Sequence, residues 1–180
     1  MGSMTPAPQD LAPPPWRFLQ DRLAGYFAAR ARGLLAADLV LSNRDGEEFG
    51  WLRVDGPGGA RLEAGDVRAT IERGAGSRYR MLNGKVILEE TARSGDNPQI
   101  RYGDRLYDVR LGLLRNVAVA NSPGDKEVAR VAGGLTNRSY EAFFDVREEG
   151  ALPVAVFLLY RIVALRRRAF LAGGSGASSA

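Results

Sequence analysis

The chain has 180 residues, 45% of them hydrophobic, with no cysteine and no histidine. That length suits one domain with a sizeable core, and the missing residue types exclude disulfides, the common zinc ligands and every catalytic scheme built on Cys or His. The net charge of +4 is unevenly spread: +2 over residues 1–37, −2 over 38–150 and +4 over 151–180, a distribution that argues against a nucleic-acid-binding domain.

At the N-terminus, "MGSM" reads as a cloning remnant ahead of Met4. No apolar signal core follows, and Pro6 stands where a myristoylation motif wants Ser or Thr. The Pro-rich stretch "TPAPQDLAPPP" predicts a mobile lead-in through residue 15. Residues 16–37 then read as an amphipathic helix. Trp16, Leu19, Leu23, Tyr26, Phe27 and Leu34 follow three-and-four spacing, and Arg17, Arg22, Arg30 and Arg32 occupy the opposite face. Such a helix either packs on the domain with a solvated basic face or lies at an anionic lipid interface.

From Asp38 to Val146 alternation replaces helical spacing. Turn signals recur at Asp45-Gly46, Gly65-Asp66, Asn83-Gly84, Gly103-Asp104 and Asn121–Asp125. In "RYRMLNGKVILEE" the Asn83-Gly84 pair predicts a two-residue hairpin that sets Met81 against Val86 and Tyr79 against Leu88 on one apolar face. In "DRLYDVRLG", Tyr107, Val109 and Leu111 share one face with Arg105. Ten or eleven strand candidates in about 110 residues predict an antiparallel β-sandwich or barrel.

The stretch "LPVAVFLLYRIVALRRRAFL", Leu152 to Leu171, is apolar on every side up to Tyr160 and is then broken by Arg161. A membrane-spanning helix needs about 20 mainly apolar residues, and this run falls short. A helix that is apolar all round must be surrounded by protein. A barrel of ten or more strands cannot fill its interior with wall side chains alone, so a helix at 151–171 through its centre satisfies both requirements. Arg161 is then expected near a barrel mouth or beside an inward acid, with Arg166, Arg167 and Arg168 emerging beyond the rim. The competing reading is a membrane anchor whose arginine triplet keeps the C-terminus cytoplasmic. Residues 172–180 read as a flexible tail.

The hairpin series, "VARVAGGLTNRSYEAFFDV" and the closing "ALPVAVFLLYRIVALRR" resemble, in layout over roughly Asp38 to Leu171, the tubby C-terminal, LURP-one-related and phospholipid-scramblase-like proteins. The resemblance implies a closed antiparallel barrel of about twelve strands threaded by a hydrophobic C-terminal helix. It also implies a non-enzymatic scaffold: tubby domains bind phosphoinositide head groups through basic residues on the barrel wall, and scramblase-like members associate with membranes. No family motif maps onto particular residues here.

Few motifs in the sequence carry recognisable chemistry. Gly84-Lys85 is followed by Val86 and is no phosphate loop, and "NRDGEE" lacks EF-hand spacing. The pairs Glu47-Glu48, Glu89-Glu90 and Glu148-Glu149 read as solvated turn or edge residues, because strand neighbours point to opposite faces. Arg78 and Arg80, joined across strands by Arg68 or Arg73, form a candidate anion patch, though pairing with Glu72 and Glu89 competes for them. With Arg166, Arg167 and Arg168 these are the candidate site residues. The expectation is a mainly β barrel around a central helix, acting without cofactor or metal as a cytoplasmic, non-enzymatic binding module. Its expected partner is an anionic membrane surface or a protein, not nucleic acid. A membrane-anchored protein and a small-ligand-binding barrel are the alternatives.

Overall fold

The computed structural model describes residues 14–33, 38–55, 58–74, 78–91, 98–112, 114–136 and 138–173, with side chains described between 15 and 169. The lead-in expected over residues 1–15 and the tail expected over 172–180 lie outside these except at their inner ends, where Pro14 and Pro15 belong to α1 and residues 172 and 173 to α2. Helix α1 spans Pro14–Leu23. Twelve strands follow: β1 (Tyr26–Arg32), β2 (Asp38–Ser42), β3 (Glu48–Asp55), β4 (Gly59–Ala64), β5 (Val67–Arg73), β6 (Tyr79–Asn83), β7 (Lys85–Thr91), β8 (Gln99–Tyr102), β9 (Arg105–Gly112), β10 (Val117–Asn121), β11 (Glu127–Gly133) and β12 (Ser139–Phe144). Helix α2, Ala151–Gly173, ends the described chain.

Each strand pairs antiparallel with its sequence neighbour, and β1 closes on β12, with Tyr26 opposite Phe143 and Arg30 opposite Ser139. The result is the expected closed barrel. Period-two alternation drives it: along β5, Val67, Ala69 and Ile71 are buried while Arg68 and Thr70 face water. Many inward positions carry only alanine, among them Ala29, Ala60, Ala118, Ala120 and Ala142. Small wall side chains leave width for a helix, and α2 occupies it. Every residue from Ala151 to Tyr160 is buried. The helix touches the wall on opposite sides, at β10–β12 and through Arg167 and Tyr160 at β3 and β6.

The first turn of α2 shows how it can start inside protein. Pro153 sits where its missing N–H is not needed. The Ala151 N–H donates to the Glu148 carbonyl at 3.2 Å and Val154 N–H to the Gly150 carbonyl at 3.0 Å. The remaining orphan, Leu152 N–H, donates to Oε1 of Gln20 on α1 at 3.2 Å. The Nε2 of Gln20 in turn donates to the Val146 and Glu148 carbonyls. Gly150 has φ +84°, and a Cβ there would lie 2.6 Å from the Tyr102 ring.

Two expectations need correcting. The helix predicted over 16–37 ends at Leu23, because Ala24 and Gly25 adopt positive φ and reverse the chain. Tyr26–Arg32 is instead strand β1, so the barrel begins before Asp38. Cross-strand pairing with both β2 and β12 outweighs the helical preference of its alanines and arginines. The hairpin register also differs. The turn centres on Gly84 alone, with Asn83 opposite Lys85, and a bulge between Met81 and Leu82 sets Met81 against Leu88 and Leu82 against Val86. Val86 is thereby exposed, not buried.

Candidate functional site

The two ends of the barrel differ. At one end α1 forms a plug, burying Trp16, Leu19 and Leu23 over the mouth. Arg105 Nη1 lies 2.6 Å from Glu148 Oε1, and the Tyr107 hydroxyl donates to the same oxygen at 2.9 Å. Burial, reinforced by Glu148, pushes the Tyr107 phenol up, and burial with Glu149 does the same to Tyr102. The cleft between Arg17, Gln20, Arg147 and Glu149 holds about 40 Å³, little more than a water.

The other end, open among the described residues, carries the arginines of α2. Arg161 lies with its guanidinium 4.4 Å from the Tyr79 ring centroid. Its Nε is 3.3 Å from Glu90 Oε2, and both side chains are nearly buried, 13% and 12% exposed. Burial raises the Glu90 carboxyl above its ordinary value, opposed by Arg161 and by the Tyr79 backbone. Beyond this pair, Arg167 Nη1 donates to the Val54 carbonyl at 3.1 Å and Arg168 Nη2 to the Tyr79 hydroxyl at 3.0 Å. Arg166 approaches Tyr140, whose phenol burial pushes up and this guanidinium pulls back. Tyr79 therefore joins two layers: its ring carries Arg161 and its hydroxyl carries Arg168. Outside, an open cleft of about 200 Å³ runs along β6–β8 between Arg78, Arg80, Glu89 and Arg101.

The expectation that Arg161 sits near a mouth beside an inward acid holds on both counts. Arg166–Arg168 do not project free of the rim; they lie against the wall, with Arg166 and Arg167 half-buried. The wall arginines are not brought together as one patch. Arg80 Nε is bonded to Glu72 at 2.6 Å. Glu89, opposite Arg80 in register, is held by Arg101. Arg78 and Arg73 flank the open end, while Arg68 lies near the plugged end in a separate cleft with Arg61 and Glu63. The basic residues assigned to one N-terminal helix are also divided: Arg17 and Arg22 sit on the plug, whereas Arg30 and Arg32 lie on the wall towards the open end. The plug and the α2 arginines thus occupy opposite ends and cannot face one surface together.

Sequence reading missed Glu90, which belongs to the inward set. Leu88 faces the core, so the residue two places on does as well. Glu148 is likewise not the solvated acid that its sequence context suggests but the shared acceptor of Arg105 and Tyr107. "NRDGEE" is a structural turn, with Asn43 Oδ1 accepting from the backbone of Asp45 and Glu47. Guanidinium groups stay charged throughout the working pH range, so a cluster of them anchored on carbonyl and phenol oxygens suits holding anions rather than moving protons. No protein-family model matches the chain, and no curated protein or solved structure is significantly similar to it.

Proposed function

We propose that the chain is a non-enzymatic binding module, tubby-like in layout, whose open end docks on anionic lipid head groups. The observation that carries this is the placing of Arg166, Arg167 and Arg168 at the mouth opposite the plug, on a segment, 151–180, with four arginines and no acid. Cations concentrated at one end of a rigid body favour an anionic surface over isolated anions, because each basic group near such a surface adds about 1 kcal/mol. The alternatives fit less well. No helix among the described residues is long and apolar enough to cross a membrane, and the apolar length of α2 is already covered by the barrel. A small-ligand barrel needs interior space that α2 fills.

Vesicle flotation tests the reading. The chain should float with phosphatidylserine-rich vesicles at low salt, not with neutral ones, and be released at high salt. Replacing Arg166, Arg167 and Arg168 together by Ser should weaken binding roughly a hundredfold. Flotation with neutral vesicles regardless of salt, or none with any vesicle, would sink the proposal. The second result would turn the search to a protein partner.

A further inference from the structure

Two hairpin loops at the open end present leucines to water. Leu114, between β9 and β10, is 102% exposed, and Leu135, between β11 and β12, is 105% exposed. Strands β10 and β11 are neighbours, so the loops stand side by side. They are also locked together. Asn116, buried and held at φ 52°, donates from Nδ2 to the Gly134 carbonyl at 3.1 Å, and its own carbonyl accepts from Gly133 N–H at 2.8 Å. A Cβ at Gly133 would fall on the Asn116 side chain, so the close approach requires glycine there. The exposed arginines Arg115 and Arg138 lie in the same two loops.

Fully exposed leucines are ordinarily tolerated singly. A pair held by a buried asparagine in a strained conformation, on the end that also carries Arg166–Arg168, is a different arrangement. The apolar tips fit acyl chains, and the flanking guanidiniums fit the phosphates above them. We infer that Leu114 and Leu135 are wedged into the bilayer interface when the barrel docks, with α2 pointing its C-terminal end at the membrane and the α1 plug directed away. This rests on the lipid-docking reading and adds to it a depth and an orientation. The plugged end offers a rival in Phe18, 70% exposed. Phe18 is the one exposed large apolar side chain described on α1, however, and Val86, Leu106, Phe143 and Val146, which lie towards the same end, are each less than half exposed.

Tryptophan scanning decides between the two ends. Leu114→Trp, Leu135→Trp and Phe18→Trp are each compared with the unsubstituted chain on phosphatidylserine-rich vesicles, some carrying brominated acyl chains. A blue shift with bromine quenching at 114 and 135 but not at 18 is the expected result. The double variant Leu114→Ser/Leu135→Ser should bind at least about tenfold more weakly while keeping its salt dependence. Vesicle binding with no shift at 114 or 135 overturns the inference and leaves the head-group reading standing, whereas a shift at 18 instead puts the plugged end on the membrane and overturns that reading as well. No binding to anionic vesicles by the unsubstituted chain overturns both.

Discussion

Glu90 shows how one buried carboxylate tests the open end. Its folded titration is raised because burial outweighs the attraction of Arg161. A carboxyl whose folded value exceeds its unfolded one favours the fold most below the unfolded value, near 4.5, and loses that contribution as pH rises through the folded value. The stability of the natural chain relative to Glu90→Gln should therefore fall as pH rises from 4 to 8, measured by urea unfolding. With Arg161→Met in the background the fall should steepen, since the opposing cation is gone. Parallel pH profiles for all variants would show that Glu90 feels neither burial nor Arg161. The inward aim of Glu90 was legible from Leu88 two residues earlier. Its partner was foreseen only as some inward acid, because nothing in sequence says which strand α2 passes at Arg161. Leu114 and Leu135 were hidden differently: an apolar residue in a turn looks like the edge of a strand until the turn is seen to project.

Among the elements, α1 and α2 depend on each other through Gln20. Removing its amide by Gln20→Ala leaves Leu152 N–H and two carbonyls without their buried partner. The expected loss is about 2–3 kcal/mol in chemical denaturation, and a loss under about 0.5 kcal/mol would show that water substitutes freely. The central position of α2 was readable from its own composition, since a run apolar on every side has nowhere else to go. Most strands were readable from turn residues. β1 was not, because "YFAARAR" carries good helix formers and its three-and-four spacing runs on from α1. What makes it a strand is the pairing of Ala29 with Leu41 on one side and Tyr140 on the other, contacts that exist only once the barrel closes. The hairpin at Gly84 slipped for a similar reason: the bulge at Met81/Leu82 answers to wall curvature, which local turn chemistry does not encode.

At the level of the whole molecule, the plug, wall and filling form one buried cluster that includes Trp16, Leu52 and Phe157. Unfolding should then be a single transition. In Trp51→Phe, Trp16 fluorescence reports the plug and far-UV circular dichroism reports the wall, and the two curves should share one midpoint. An earlier fluorescence change would mean that the plug leaves before the barrel opens. Refolding should be slow for this size, since closure depends on pairings such as Tyr26 with the strand of Glu141, 115 residues away.

The place of α2 after all twelve strands bears on how the chain is made. On the ribosome the walls exist before anything can occupy them. The inward faces of Leu39, Met81 and Ala118 have no partner until residues 151–164 have left the exit tunnel. Elongation therefore yields a growing run of sticky strands, and the emergence of α2 sets off packing in one step. A nascent chain stalled beyond Phe144 would hold the complete barrel wall and none of its core helix, the state in which it most needs a chaperone.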